Sequence, residues 1–335
     1  MIEVRNLTKQ YGQRKAIDNI NFSIAPGEIV GFLGPNGAGK STTMNIMTGY
    51  IAATSGDVTI DGIDVVAEPE RAKANIGYLP DTPPVYGDMR VSEYLNFVAD
   101  IKGVRKGRKE MVKYVMQQVS IDDIPLRLIK NLSRGYKQRV GLAQAMLGTP
   151  KVIIMDEPTI GLDPKQIIEM REVVKNLGKK HTVILSSHIM QEVSAVCDRL
   201  MIINRGKIVA TGTPASLSEN ITKGASRMQV RVKGSRQQVL DALKEYSVIK
   251  NVSAEAGGEP GTIDLLLAGA NKEDIREPIF RCMAKNNLPI LLMKSTELTL
   301  EEIFLSLTDS DRMGISAMAD FTTQAQEVQE DAGDL

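Results

Sequence analysis

Gly34-Pro35-Asn36-Gly37-Ala38-Gly39-Lys40-Ser41-Thr42 decides how the rest of this chain is read. The run fits the phosphate-binding loop pattern: Gly, four residues, then Gly-Lys-Ser/Thr. Glycines let backbone N–H groups converge on an anion without Cβ clashes, and a following helix adds its positive N-terminal end. Lys40 is expected to reach the β- and γ-phosphates, and the Ser41 hydroxyl to ligate Mg²⁺. A purely structural Gly-rich turn is the alternative. The setting argues against it, because Glu28–Leu33 reads as a strand and Ser41–Gly49 as a helix.

A second element lies far downstream. Val152-Ile153-Ile154-Met155-Asp156-Glu157 is a short apolar strand ending in two carboxylates. The carboxyl ends of strands are where α/β sheets bind ligands. Asp156 suits the Mg²⁺ partner, directly or through water. Glu157 is then placed to orient or deprotonate the water that attacks the γ-phosphate. Alone, two acids at a strand end read as a solvated terminus. Paired with the phosphate loop, they read as a site.

Around these motifs, the first 210 residues alternate β-rich runs with helical patterns, implying α/β architecture with a mostly parallel sheet. Asp57–Ile60 and Asn75–Leu79 read as short strands. The stretch 88–150 reads as a helical subdomain, with Val91 to Val98 showing apolar residues at turn spacing. Thr182–Leu185 is a fully apolar strand, and Asn204-Arg205-Gly206 is a hairpin signal between Arg199–Ile203 and Lys207–Ala210. Thr211-Gly212-Thr213-Pro214 then punctuates the chain. Beyond it the order β-α-β-β-α-β predicts a small ferredoxin-like α+β domain over 216–308, closed by an amphipathic helix at Thr299–Leu307. After Thr308 seven acids stand against Arg312 alone, so 309–335 reads as an acidic, disordered tail.

Composition narrows the function classes. Lys plus Arg is 41 and Asp plus Glu is 41, so no basic excess points to nucleic acid. Cys197 and Cys282 form no spaced framework and read as reduced, part-buried thiols. No signal-peptide order and no membrane-length apolar run is seen. The expectation is a soluble cytoplasmic protein whose membrane role, if any, comes through a partner.

Between the two phosphate-site motifs lies Leu132-Ser133-Arg134-Gly135-Tyr136-Lys137-Gln138-Arg139. Here the chain resembles the nucleotide-binding subunits of ABC transporters, whose signature is Leu-Ser-Gly-Gly-Gln. Leu132, Ser133 and Gly135 match, while Arg134 and Tyr136 depart; in isolation the run is also a plain N-capped helix. The resemblance implies an ABC-type P-loop ATPase domain over about 1–215, using ATP and Mg²⁺. It implies that Ser133 and the Gly135 backbone bind the γ-phosphate held by a second copy, with Arg134 adding charge there. Gly161-Leu162-Asp163-Pro164 looks like the family's dimer-contact loop, so Asp163 joins the expected site. His188, after a strand, matches the switch histidine that senses the γ-phosphate. Tyr11 resembles the aromatic that stacks on adenine; its rival reading is a core tyrosine of the N-terminal hairpin.

One position departs. After Gly77-Tyr78-Leu79-Pro80 the family usually has Gln, and this chain has Asp81, which is shorter, charged and cannot donate. Asp81 can still accept from water or ligate Mg²⁺, so it joins the expected cofactor-binding residues. Asp81–Asp88 is read as the loop that relays nucleotide state to a membrane partner. The resemblance is closest to the ABC-2-type exporter branch, and within it to gliding-motility, drug and copper-processing ATPases. It is carried by the run from Leu132 to Ala145, by Leu185-Ser186-Ser187-His188-Ile189-Met190-Gln191-Glu192-Val193 and by Thr299-Leu300-Glu301-Glu302-Ile303-Phe304. It implies a homodimer docked on an ABC-2-type permease at the inner face of the cell membrane. The rival is a soluble ABC-type ATPase in a non-transport complex. A single phosphate loop and the lack of coiled-coil heptads between the two motifs weigh against its ribosomal and chromosomal versions.

Overall fold

The structure is a computed structural model that describes residues 1–217, 227–244, 246, 249–269 and 274–295. The expected helix Thr299–Leu307 and the tail 309–335 lie outside the described residues. Contacts divide the chain into two units, one running from Met1 to Pro214 and the other beginning at Ala215.

The first unit is built on two sheets. Strands β1 (Ile2–Tyr11), β2 (Arg14–Ile24), β4 (Ser55–Ile60) and β5 (Ile63–Asp64) form an antiparallel sheet in the order β2-β1-β4-β5. The sequence predicts a mostly parallel sheet, and this antiparallel one is additional to it. Asp57–Ile60 pairs with β1 instead of joining the parallel strands. The second sheet combines β3 (Ile29–Leu33), β6 (Ile76–Leu79), β7 (Val152–Met155), β8 (Thr182–Ser187), β9 (Arg199–Asn204) and β10 (Lys207–Gly212). Its order is β10-β9-β3-β8-β7-β6, parallel throughout except for the β9–β10 hairpin.

Why these strands sit centrally follows from their composition. Every residue of β3, β7 and β8 is buried, as continuous apolar runs covered on both faces require. One apolar cluster joins the sheets, with Leu7, Ile24, Phe32, Met44, Ile60 and Ile154 almost wholly excluded from solvent. Phe22 meets Phe32 edge-on at 5.2 Å between ring centroids. Truncating Phe32 to Ala would cost about 3–5 kcal/mol, transfer and cavity terms together.

Helices complete the unit: α1 (Lys40–Met47), α2 (Pro69–Ala74), α3 (Val91–Ile101), α4 (Arg108–Gln118), α5 (Arg134–Met146), α6 (Pro164–Gly178) and α7 (Met190–Ser194). The helical stretch between β6 and β7 contains α3, α4 and α5. Buried Arg139 of α5 donates to the Val119 carbonyl at 3.0 Å and pairs with Glu169 of α6 at 2.5 Å. The sheet order sets the carboxyl ends of β3, β7 and β8 side by side, bringing residues 34, 156 and 188 to one edge.

The second unit runs β11 (Arg227–Lys233), α8 (Arg236–Lys244), β12 (Ile249–Ala256), β13 (Thr262–Gly269), α9 (Arg276–Lys285) and β14 (Ile290–Ser295). Its sheet order is β12-β13-β11-β14, all antiparallel, which is the split β-α-β-β-α-β arrangement. Its core includes Val230, Val239, Leu267, Ile279 and Met283. Both cysteines, Cys197 and Cys282, are buried, and the Cys282 thiol donates to the Ala242 carbonyl at 3.3 Å.

Candidate active site

The chain leaves β3 and enters α1 through residues 34–39. A Cβ on Gly34 would lie 2.4 Å from the Ile203 carbonyl oxygen, so no side chain fits. Gly39 has φ +117°, and a Cβ there would meet the Ala16 carbonyl at 2.7 Å. The loop is propped by the β9–β10 hairpin, whose Gly206 N–H donates to the Ala38 carbonyl at 2.8 Å. The first N–H groups of α1 have no intrahelical acceptor, so this terminus is polarised to favour an anion.

Lys40 is buried, with its Nζ donating to the Gly34 carbonyl at 2.7 Å and standing 3.3 Å from Glu157 Oε1. The other carboxylate oxygen of Glu157, Oε2, is 2.9 Å from His188 Nδ1. An ionised carboxylate only accepts, so Nδ1 carries the hydrogen and Nε2 is left for other chemistry. Lys40, Glu157 and His188 are therefore in one chain of contacts. Glu157 adopts φ +48°, a left-handed backbone that is uncommon outside glycine.

Ser186, at the end of β8, ties the acids together. Its hydroxyl donates to Asp156 Oδ1 and accepts the Glu157 N–H at 3.0 Å. Asp156 is buried and makes no ion pair among the described residues. Buried carboxylates are retained where a hydrogen bond or a cation satisfies them. Burial, reinforced by the Asp156 and Asp81 carboxylates, pushes the Tyr78 phenol up; its hydroxyl donates to Asn45 Oδ1 at 3.2 Å.

The donor set fits Mg²⁺. Among the described residues no group of three His, Cys, Asp or Glu side chains forms a cage for a metal. A hard cation completed by phosphate oxygens and water needs only one or two protein oxygens. Asp156 and the exposed Ser41 at the start of α1 offer such oxygens.

Other expected site residues lie elsewhere in the unit. Ser133 caps α5, accepting the Tyr136 N–H at 3.4 Å. Gly135 packs against α6, where a Cβ would come 2.4 Å from Gln166 Oε1. The Arg134 guanidinium covers Gly161, whose φ is +70°. Asp163 caps α6 by accepting the Gln166 N–H at 2.9 Å. Tyr11 is 51% exposed, which removes its reading as a core residue, and the Lys9 ammonium sits 5.0 Å from its ring centroid. Asp81 is exposed and turns onto its own loop, its Oδ1 accepting the Thr82 N–H at 2.7 Å. Its carbonyl accepts from Gln138 Nε2 of α5 at 2.6 Å.

Several residues escaped the sequence reading. Ser186 and Gln138 carry no local signal, because their partners are 29 to 57 residues away. Arg14 could have been found from the hairpin, since it pairs across the turn with Tyr11. Its Nη2 lies 3.5 Å from where a Gly37 Cβ would sit, beside the phosphate loop.

Comparison with known proteins agrees with this geometry. The family model described as "ABC transporter" matches residues 17–160. The linearmycin resistance ATP-binding protein LnrL of Bacillus subtilis (strain 168) is 31% identical over 310 residues, covering 92% of this chain and 98% of the relative. The bacitracin transport ATP-binding protein BcrA of Bacillus licheniformis is 37% identical over 211 residues, covering 62% of this chain and 68% of its own. Among solved structures, a dimeric ATP-binding cassette in a post-hydrolysis state bound to ADP and Pi matches with a TM-score of 0.58 and 25% identity. That match covers 64% of this chain and 98% of the other.

Proposed function

Starting from the premise that this chain belongs to the ABC transporter ATP-binding family and is the ATP-hydrolysing subunit of an ABC exporter, we propose that it powers an ABC-2-type exporter. In this reading two copies dock on a separate ABC-2-type permease at the cytoplasmic face of the membrane. The translocation path is assigned to the partner in this reading; no helix among the described residues is long and apolar enough to cross a membrane. Residues 1–215 are the ATPase domain, 216–308 an accessory domain and 309–335 an acidic tail.

The observation that carries the reading is the contact chain Lys40–Glu157–His188 at the strand ends. Lys40 exchanges Glu157 for the β- and γ-phosphates when ATP enters, and the backbone of 34–39 with Ser41 and Thr42 cradles them. Tyr11 stacks on the adenine. Ser41 and Asp156 would hold Mg²⁺, which would supply neutralisation of phosphate charge. Glu157, released from Lys40, orients and deprotonates the attacking water, and His188 holds Glu157 and senses the γ-phosphate. Ser133, Gly135 and Asp163 act across the dimer, on the partner's nucleotide. Asp81 opens the loop that reports nucleotide state to the permease. Catalysis is then mainly positioning and electrostatic stabilisation.

The test is co-expression with a candidate permease carrying about six apolar 20-residue spans, followed by co-purification and ATPase assay in lipid. Turnover should rise with the permease and vanish in Lys40→Ala. Failure to co-purify with any such partner, together with full activity alone, would sink the exporter reading.

A further inference from the structure

Among the described residues, Glu192 is the one buried carboxylate near the strand ends to which the proposed chemistry assigns nothing. It lies in α7, is 6% exposed, and makes no ion pair among the described residues. Its Oε2 accepts two hydroxyls, Thr159 Oγ1 and Ser187 Oγ, the latter at 3.1 Å. Ser187 Oγ in turn accepts the Ile189 N–H at 3.0 Å, bracketing His188 from both sides in sequence. Thr159 stands two residues beyond Glu157, inside a turn closed by Ile160 N–H to the Glu157 carbonyl at 3.1 Å and Leu162 N–H to the Thr159 carbonyl at 3.1 Å.

An uncompensated buried acid is a poor stabiliser compared with an apolar side chain of similar volume. What it offers here is directional: two acceptor sites that join two turns. One turn carries Glu157 in a left-handed backbone, φ +48°. Such conformations persist only where surrounding contacts over-determine them. The other turn carries His188, and the two side chains meet at 2.9 Å. We propose that Glu192 is a positioning residue for hydrolysis, clamping the turn after Glu157 to the turn that bears His188. The proposal rests on the reading that Glu157 and His188 work together on the γ-phosphate.

The experiment compares Glu192→Ala, Glu192→Gln and Thr159→Val in the full chain, with Glu157→Gln alongside. Steady-state ATPase gives kcat, nucleotide titration gives the ATP Kd, and scanning fluorimetry gives the melting midpoint. A misplacement on the order of 1 Å costs up to about 100-fold in rate. Glu192→Ala should therefore lose about tenfold or more in kcat while its ATP Kd stays within about twofold. Thr159→Val, which removes one donor at constant shape, should move kcat in the same direction. Glu192→Gln keeps an acceptor oxygen and should recover most of the rate. Unimpaired kcat in both Glu192→Ala and Thr159→Val, with Glu157→Gln inactive, would overturn the clamp and leave the role of Glu157 standing. Full turnover in Glu157→Gln would remove the reading beneath it. Parallel losses of kcat, ATP affinity and melting midpoint would mark Glu192 as structural only and also overturn it. If Glu192→Ala does not fold, Thr159→Val and Glu192→Gln carry the decision.

Discussion

Replacing Glu157 with Gln should slow hydrolysis and, less obviously, tighten ATP binding. Lys40 has an anionic partner, Glu157 Oε1 at 3.3 Å, in a setting where both side chains are buried. ATP must displace that contact before its phosphates can take the ammonium. A hydrogen bond involving a charged group is worth roughly 1.5–3 kcal/mol net. The amide keeps a neutral acceptor, worth roughly 0.5–1.5 kcal/mol, so only the difference is lost, about 1–2 kcal/mol. Removing a carboxylate that would repel three phosphates works in the same direction. Mg-ATP should then bind about 5- to 30-fold more tightly, at 1.4 kcal/mol per tenfold. Turnover should fall at least about 100-fold, the lower end for a positioned base. Without nucleotide the melting midpoint should drop, and ATP should raise it by more than in the parent chain. Titration with a fluorescent ATP analogue and scanning fluorimetry read both quantities. Equal or weaker affinity with an unchanged nucleotide-free midpoint would refute the idea that Glu157 competes with phosphate for Lys40.

Three further outcomes are expected. Arg14→Ala, which removes a guanidinium beside Gly37, should weaken ATP binding about fivefold while leaving AMP binding unchanged, as losing one charged contact to phosphate requires; equal losses for both nucleotides would place the arginine away from the phosphates. Asp81→Asn keeps the acceptor for the Thr82 N–H, so basal ATPase should stay within about twofold, and a raised Mg²⁺ requirement would show that the carboxylate reaches the metal. Burial raises the pKa of the Glu28 carboxyl, but the Arg199 guanidinium and the Ala25 N–H outweigh it and hold the group below its ordinary 4.5. Glu28 therefore stabilises the fold above that value and progressively less as pH falls through the lowered one. Glu28→Gln should melt about 2–4 °C lower at neutral pH, with the gap closing on acidification below 4.5; a gap independent of pH would argue against the ion pair.

How legible the molecule was depends on the range of the interaction. The phosphate loop, the strand ending in Asp156 and Glu157, and the alternating order of the second unit are local patterns, and periodicity exposes them. The antiparallel sheet of the first 64 residues is less visible, because register shifts at Leu7 and Lys9 break the alternation of β1. Asn6 and Asn19 at positive φ interrupt β1 and β2 in the same way. Asp81 was legible as a departure, but not the carbonyl that receives Gln138 from 57 residues away. Ser186 and Glu192 were hidden for one reason. Their partners across 29 to 33 residues are brought near only when β7 and β8 pair, and no spacing rule encodes that closure.

The position of β3 between β8 and β9 also sets a timetable for synthesis. Val30 finds its sheet neighbours at Ile184 and Arg199, and the loop that follows it is propped by Gly206. At about 5–20 residues per second, a nascent chain carries Ile29-Val-Gly-Phe-Leu33 for roughly 8 to 30 s before either flank exists. During that interval an apolar strand with two bare edges sits at the exit of the ribosome, the situation in which unpaired strands seek wrong partners. Chains released before Arg199 would contain every residue of the phosphate loop and still lack the frame that shapes it. Fragments of this kind should fail to bind nucleotide and should aggregate, making the last third of the ATPase unit the step that commits the whole to folding.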